Sequence, residues 1–416
     1  MTSADRWMLP EGVDELLPER AAIAEQARRS VLDLFKVWGY QLVIPPLIEF
    51  TDSLLMGTGQ DVEVQSFRLT DQLSGKPMAV RADITPQTAR MDAHSIQVAG
   101  VRRLCYAGSV LHTRPKTLMA SRCPIQVGAE LYGDPTINAD IEIASLLLET
   151  LTVLEASFTG KGESGLLDQL TLDLGHVAID QAVKAALAEA LPNLDSDDTA
   201  AIFAAIQRKS QPDLTMLLAD LAVDQQLMNI LQQLPALCGG IEILAEAKNL
   251  LSGLGSQVSA AIDQLEQMAE RIAARFPSVA LYFDLAEIHG YEYHTGVVFA
   301  AYADGNGLAL ANGGRYDNIG HVFGAARSAT GFNADLKALL SFLESRAEGG
   351  QGTTAQDANI IAAPNTDTAD DDIALWHAVC ELRRAGEIVI FNGQQGAELA
   401  SRQLVQRNGQ WQVENN

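Results

Sequence analysis

The chain has 416 residues, and its 53 Asp and Glu outnumber 29 Lys and Arg to leave a formal net charge of −24. Nucleic-acid binders draw most of their affinity from cations that neutralise phosphates, so this balance argues against a general polyanion binder. Cys105, Cys123, Cys238 and Cys380 lie far apart with no C-x-x-C pair, which argues against a disulfide framework or structural zinc. No apolar run approaches the roughly 20 residues of a membrane span. The N-terminus, with Asp5, Pro10, Glu11 and Asp14, lacks a signal-peptide pattern, and the expected location is cytoplasmic. At roughly 150 residues per domain, the length suggests two or three domains.

Apolar residues Ile23, Ala27, Val31, Leu34, Phe35 and Trp38 recur at helical spacing, predicting a helix from about Pro18 to Trp38. Pro18 suits its first turn and Gly39 its C-terminal cap. A strand follows at Gln41 to Ile44; Pro45 and Pro46 cannot continue a ladder, so it is expected to lie at a sheet edge or to end abruptly there. Met78 to Arg81, Arg103 to Leu111 and Ile125 to Tyr132 read as antiparallel strands. Between about Leu148 and Pro277 nearly everything reads helical: Ala178 to Ala190, Thr199 to Lys209, Leu214 to Leu234 and Val258 to Arg275.

Strands return at Ala280 to Ile288, Glu292 to Tyr302 and Leu308 to Ala311, with Gly305-Asn306-Gly307 suited to a tight hairpin. A small-residue loop then leads to a helix from about Asp335 to Ser345. Glu348 to Gln356 reads as a linker. Beyond it, Asn359 to Ala363, Asp370 to Ala385 and Glu387 to Phe391 form a βαβ unit with parallel strands, and the tail loses periodicity. No internal repeat is evident.

This layout resembles the core of a class II aminoacyl-tRNA synthetase, and the residues narrow the likeness to the histidyl branch. Gly39-Tyr40 through Ile44-Pro45-Pro46-Leu47-Ile48-Glu49 resembles motif 1, and Arg81-Ala82-Asp83-Ile84-Thr85 resembles that family's R-P-E-G-T segment. Gln126-Val127-Gly128-Ala129-Glu130 resembles the end of motif 2. Glu292-Tyr293-His294-Thr295-Gly296 resembles the histidine-specific D-Y-Y segment, and Gly313-Gly314-Arg315-Tyr316-Asp317 matches G-G-R-Y-D. Each motif is weak alone; five in order, covering about residues 8 to 345, make the resemblance strong.

The departures carry as much information. Adenylate formation needs fixed positive charge where negative charge accumulates, and losing one such donor costs roughly 10²- to 10³-fold in rate. Counting back from Glu130, the motif 2 arginine position holds His112. The arginine of the histidine signature is replaced by His289. In motif 3, Gly331-Phe332-Asn333-Ala334-Asp335-Leu336-Lys337-Ala338 resembles G-F-A-x-G-L-E-R, with Ala338 in place of the arginine and Asp335 in place of the second glycine. Asp335 is expected to turn a carboxylate toward the nucleotide phosphates. Arg114 and Lys116 are the remaining candidates to replace the motif 2 arginine. Aminoacylation is not expected.

The positions that would hold an amino acid persist. By resemblance, Asp83, Thr85 and Gln126 receive the α-amino end of histidine, and Glu130 accepts a hydrogen bond from the ring. Tyr293 walls the pocket, His294 replaces a second tyrosine, and His289 stands where the carboxylate-binding arginine belongs. Retention of these positions beside altered nucleotide positions favours a binding site over a decayed remnant. The only basic concentration in the acidic core, Arg102, Arg103, His112, Arg114, Lys116 and Arg122, suits a remnant anion pocket, an acidic partner or a solvated strand edge. His94, His176, His321 and His377 lack metal-ligand spacing.

A histidyl-synthetase body without its phosphate-facing arginines, and with a shortened C-terminal module, resembles the regulatory subunits of ATP phosphoribosyltransferase. The implied fold is α+β, with a class II aminoacyl-tRNA synthetase-like antiparallel sheet core over residues 1–347. A helical insertion at about 160–277, a linker at 348–356 and a small α/β domain at 357–416, resembling a truncated anticodon-binding module, complete it. The implied role is a non-catalytic subunit that activates a short-form catalytic subunit and mediates feedback inhibition by histidine in histidine biosynthesis. Within the hetero-oligomer it would form a homodimer through the motif 1 region. No cofactor, metal, tRNA or membrane partner is implied. The competing readings are a divergent histidyl-tRNA synthetase or amino-acid ligase, and an amino-acid sensor of an unrelated regulator.

Overall fold

The structure is a computed structural model that describes residues 7–55, 60–96, 100–115, 117, 120–159, 165–219, 221–286, 294–318, 327–346, 360–365, 369–394, 397, 400–407 and 409–415. The chain divides into two compact units, Met1–Glu15 with Ala24–Arg346, and Leu16–Ile23 with Ala347–Asn416.

The strands of the first unit are, in chain order, Gln41–Leu42 (β1), Ile48–Phe50 (β2), Arg68–Thr70 (β3), Pro77–Val80 (β4), Arg102–Ser109 (β5), Ile125–Tyr132 (β6), Leu170–His176 (β7), Cys238–Gly239 (β8), Ala280–Asp284 (β9), Val297–Ala303 (β10), Ala311–Arg315 (β11) and Ala329–Asp335 (β12). Nine of them form one sheet in the order β1-β5-β6-β12-β11-β10-β7-β9-β8. It is antiparallel except where β1 meets β5 and β7 meets β9. A small antiparallel sheet has the order β2-β4-β3.

Helix Pro18–Val37 buries Ala24, Ala27, Val31 and Phe35 at spacings of three and four, the stripe anticipated from the sequence. Gly39, at φ 85°, turns the chain into β1 in a backbone region that favours glycine. The prolines after β1 stop its ladder, and it lies at the sheet edge. Helix Ile137–Thr159 lies against β6, β10, β11 and β12 and sinks Ile141, Ile143, Leu147 and Leu151 into the core. It begins before the point, about Leu148, at which the sequence turns helical.

Two expectations need correction. Leu170–His176 lies inside the stretch that reads helical, yet it forms β7 between β10 and β9. Its alternation of Leu170, Leu172 and Leu174, all buried, has the strand period, and the surrounding Ala- and Leu-rich helices obscure it. The helical insertion therefore begins at Val177, not near 160; His176 caps its first helix by accepting the Ala178 amide at 3.1 Å. Ala329–Asp335, which reads as part of a small-residue loop and helix start, is β12, an interior strand between β6 and β11. Its glycine is required by close approach: a Cβ on Gly331 would lie 2.9 Å from the Ala129 carbonyl oxygen and closer still to the Glu130 carboxyl.

Within the insertion, the stretch Leu214 to Leu234 is two helices, Gln211–Leu218 and Gln225–Gln233. Asp224 starts the second by accepting the Leu227 amide at 2.7 Å. Helix Ser256–Arg275 brings the chain back to the sheet.

The second unit contains Ile360–Ala363 (β13), Ile388–Phe391 (β14), Arg402–Arg407 (β15) and Gln410–Asn415 (β16), in the order β14-β13-β15-β16. β13 and β14 are parallel, joined through helix Ala369–Arg384, as the sequence predicts. The tail is not irregular: β15 and β16 form an antiparallel hairpin. Its sequence signal is Asn408-Gly409, a pair suited to the positive φ angles of a two-residue turn. Ile361, Leu375, Val379, Val389 and Leu404 make the core of this unit.

Candidate functional site

The centre of the site lies on β6, where residues 126, 128, 130 and 132 share one face because side chains alternate along a strand. Gln126 and Glu130 point polar groups into the buried face, with Gly128 between them. A Cβ on Gly128 would lie 2.5 Å from the Tyr106 hydroxyl, so glycine lets the phenol cross between the two polar side chains. Tyr106, paired with Gly128 across β5 and β6, donates to Glu130 Oε1 at 3.0 Å.

The segment after β4 adds a second set of groups. Arg81 is a structural clamp, donating through Nε to the Ser109 carbonyl and through Nη1 to the Pro45 carbonyl, both at 2.9 Å. This holds the turn that carries Asp83 and Thr85. Asp83 Oδ1 accepts the Thr85 amide at 3.1 Å and Gln126 Nε2 at 2.7 Å, while the Ile84 amide donates to Gln126 Oε1 at 2.8 Å. Thr85 Oγ1 donates to Glu130 Oε1 at 3.0 Å. Asp83, Thr85, Gln126 and Glu130 thus form one buried, connected network, with none more than 6% exposed.

Glu130 is the electrostatic focus. Burial, assisted by the charge of Asp83, pushes its carboxyl up to about 8, against hydrogen bonds from Tyr316, Thr85 and Tyr106 that favour the ionised form. Tyr316 donates to Oε2 and lies edge-on to Tyr132, with ring centroids 6.4 Å apart. Glu130, Gly331 and Gly314 are successive cross-strand partners on β6, β12 and β11. A Cβ on Gly331 would fall 1.6 Å from Glu130 Oε2, and one on Gly314 would fall 2.7 Å from the His294 ring. The two glycines form a floor between the Glu130 carboxyl and the buried His294 side chain. The cavity bounded by Thr85, Glu130, His294, Tyr316 and Phe332 has a volume of about 10 Å³, the scale of a single water.

Of the sequence-derived positions, Asp83, Thr85, Gln126, Glu130 and His294 meet here. His289 and Tyr293 lie outside the described residues. Tyr106 and Tyr316 are contacts that sequence reasoning missed. Tyr316 lay in plain view inside the matched G-G-R-Y-D segment, whereas Tyr106 offered only its place in a strand. In that segment Arg315 is structural: Nη2 donates to Asp140 Oδ2 at 2.7 Å and to the Thr136 carbonyl at 3.0 Å.

At the altered synthetase positions, His112 is buried, with its Nε2 2.9 Å from the Ala82 carbonyl oxygen. Ala338 is exposed on helix Leu336–Arg346. Asp335 corrects an expectation. Its Oδ1 accepts the Lys337 amide at 3.0 Å, so the carboxylate serves the helix N-terminus instead of a phosphate position. Arg114 is exposed, and Lys116 lies outside the described residues.

Among the described residues of the basic concentration, Arg102, Arg103 and Arg122 already have partners. Arg102 pairs with Asp92 at 2.5 Å, Arg103 forks onto Glu142 at 2.6 and 2.7 Å, and Arg122 donates to the carbonyls of His112 and Glu11. Among the described residues no group of His, Cys, Asp and Glu could hold a metal ion, and no helix is long and apolar enough to cross a membrane.

Residues 12–339 match the family model of histidyl-tRNA synthetase, and residues 358–414 match that of the ATP phosphoribosyltransferase subunit HisZ C-terminal domain. The chain is 46% identical over 419 aligned residues to the ATP phosphoribosyltransferase regulatory subunit of Pseudomonas entomophila, covering 99% of each chain. It is 45% identical to that of Pseudomonas syringae pv. syringae, again over 99% of each. Among solved structures, an ATP phosphoribosyltransferase regulatory subunit/histidyl-tRNA synthetase from Bacillus halodurans superposes with a TM-score of 0.76 at 23% identity, covering 96% of each chain. Histidyl-tRNA synthetase from a Nostoc species gives 0.71 at 17% identity, covering 96% of this chain and 91% of the other. These last two likenesses support the class II synthetase-like fold. Matched along nearly its whole length, from the synthetase-like body to the C-terminal module, the chain belongs to the family of ATP phosphoribosyltransferase regulatory subunits.

Proposed function

We propose that this chain is a non-catalytic regulatory subunit of ATP phosphoribosyltransferase, in the first step of histidine biosynthesis, that activates a short-form catalytic subunit and carries its feedback inhibition by histidine. The observation that carries the role is the match, over 99% of both chains, to curated regulatory subunits. The buried network around Glu130 supports histidine as the effector. An imidazole ring nitrogen needs a hydrogen-bond partner when buried, and an ammonium needs acceptors. Glu130 offers the first, and by resemblance Asp83, Gln126 and Thr85 offer acceptors for the second. His289, Tyr293 and His294 complete the proposed set, and metal and catalytic residues are not part of it.

A cavity of about 10 Å³ is far smaller than histidine. Binding therefore needs a wall of the pocket to move, and a ligand that fits one arrangement better than another shifts the equilibrium between them. That differential is the physical requirement for feedback, and coupling of about 1–3 kcal/mol corresponds to roughly 5- to 150-fold modulation.

Aminoacylation is not part of the proposed role, because His112 and Ala338 supply no fixed positive charge at two synthetase arginine positions. Self-association through the motif 1 region is supported by the edge strand β1 and by exposed apolar side chains at Leu42, Ile44, Leu47, Ile48 and Phe50. The proposed location is the cytoplasm.

The deciding experiment mixes the purified protein with a short-form transferase and measures transferase rate with and without histidine. A rate gain on mixing that histidine suppresses is expected. A stable mixture with no gain rejects the activator role, and histidine-dependent pyrophosphate exchange by the chain alone would favour a divergent synthetase or ligase.

A further inference from the structure

A second cavity, of about 830 Å³, shares no lining residue with the pocket around Glu130. It is a groove lined from helices Ile137–Thr159 and Ser256–Arg275, with Trp38 also in its wall. Three of the chain's 29 basic residues, Arg103, Arg271 and Arg275, line it, in a protein whose net charge is −24. The two glutamates that share the groove do not cancel them equally. Glu142 is already engaged, accepting both the fork of Arg103 and the Tyr40 hydroxyl.

Arg271 and Arg275 are held by neutral partners. Arg271 Nη1 donates to Asn138 Oδ1 at 2.9 Å, and Arg275 Nη1 donates to Ser145 Oγ at 2.7 Å. Ser145 is buried and donates in turn to the Ile141 carbonyl at 2.6 Å, so the hydroxyl that orients Arg275 is itself fixed. A guanidinium has five N–H donors, and each of these spends one on the groove wall. Among the described residues no carboxylate stands within ion-pair distance of either. Two positioned cations with donors to spare, one turn apart on a helix, match the planar oxygen pairs of carboxylate and phosphate. The volume falls in the range typical of small-ligand sites.

We propose that this groove is a second ligand site, binding a small molecule through a carboxylate or phosphate group clamped by Arg271 and Arg275. Glu149 lies beside the clamp in the groove. It opposes the anion, and its carboxylate accepts from a hydroxyl or amine elsewhere on the ligand.

The test titrates the full-length protein with inorganic phosphate, pyrophosphate or citrate at low ionic strength. Calorimetry and tryptophan fluorescence are followed, with Trp38 as the reporter within the groove. Saturable binding of at least one probe is expected, and comparison of citrate with the phosphates identifies the preferred oxyanion. Arg271→Gln and Arg275→Gln should each weaken it roughly ten- to hundredfold, the effect of losing a hydrogen bond to a charged group. Glu149→Gln should tighten it. Both arginines are exposed on the helix, and circular dichroism of the variants controls for folding. No saturable binding of any probe, or equal affinity in the wild type and both arginine variants, overturns the proposal. So does a change in self-association alone, which would make the groove a contact between copies of the chain.

Discussion

Tyr316 and Glu130, 186 residues apart in the sequence, are joined by a hydrogen bond from the phenol to Oε2. The bond spans the sheet from the end of β11 to β6 and closes one side of the pocket. Glu130 also takes hydrogen bonds from Thr85 and Tyr106, so three hydroxyls converge on one buried carboxyl. A structural core would rarely need so costly a group, whereas an effector site with a polar ring to recognise would.

Removing that carboxyl should weaken histidine binding. Glu130→Gln keeps the volume and some hydrogen bonding but replaces the carboxyl with an amide, and Glu130→Ala loses the group altogether. The expected cost is about 1.5–3 kcal/mol in affinity, or roughly ten- to hundredfold. Titration calorimetry on both variants measures it, and unchanged affinity would remove Glu130 from the pocket.

The same residue predicts a pH dependence with a definite sign. Its carboxyl is raised from 4.5 to about 8 in the folded protein, chiefly by burial. A group raised on folding contributes stability that is complete below its unfolded value and is lost as pH rises through its folded value. Thermal stability should therefore decline between about pH 4.5 and 8 by a component that Glu130→Gln lacks. The difference between the two proteins isolates this residue from Asp92 and Asp140, which are also raised by burial and act in the same direction. Melting curves that run parallel across that window would refute the assignment.

Gly331 offers a steric test of the pocket floor. An added methyl would sit 1.6 Å from Glu130 Oε2, so Gly331→Ala must expel the carboxyl or shift β12. Overpacking of this kind typically costs about 1–3 kcal/mol, and histidine affinity should fall with it. Gly165→Ala, where nothing lies within 4 Å of the added carbon, is the control and should be near neutral. Chemical denaturation of the two variants makes the comparison.

Much of this site was legible because its residues sit inside short, ordered motifs. Asp83, Thr85, Gln126 and Glu130 keep the spacing of the synthetase segments, and the structure brings all four into one network. What stayed hidden had long-range causes. Gly331 stands in β12 because the Glu130 side chain crowds it, and that crowding exists only after distant strands pair. β7 lies between helices and can be told from them only by the alternation of its leucines. Asp335 looked aimed at a ligand because the aligned position faces nucleotide in relatives. Its local geometry at a helix start decided otherwise. Tyr106 reaches Glu130 only because Gly128 leaves room, a relationship between strands that no linear motif displays.

Arg315 supplies the last prediction, separating scaffold from site within one motif. Its Nε and Nη2 both bond Asp140 Oδ2, at 3.1 and 2.7 Å, and its remaining donors reach the carbonyls of Asp134 and Thr136. Asp140 is 1% exposed on helix Ile137–Thr159, so the pair ties β11 to the helix beneath the sheet. Breaking a buried pair leaves an uncompensated charge and costs about 3–5 kcal/mol. Arg315→Ala should therefore lose roughly that much stability by denaturant unfolding. Arg315→Lys should recover only part of it, because an ammonium keeps the charge but lacks the planar fork that serves several acceptors at once. If Arg315→Lys matched the wild type, charge alone would explain this contact. If Arg315→Ala did, the helix would be held by its apolar face and the tie would be dispensable.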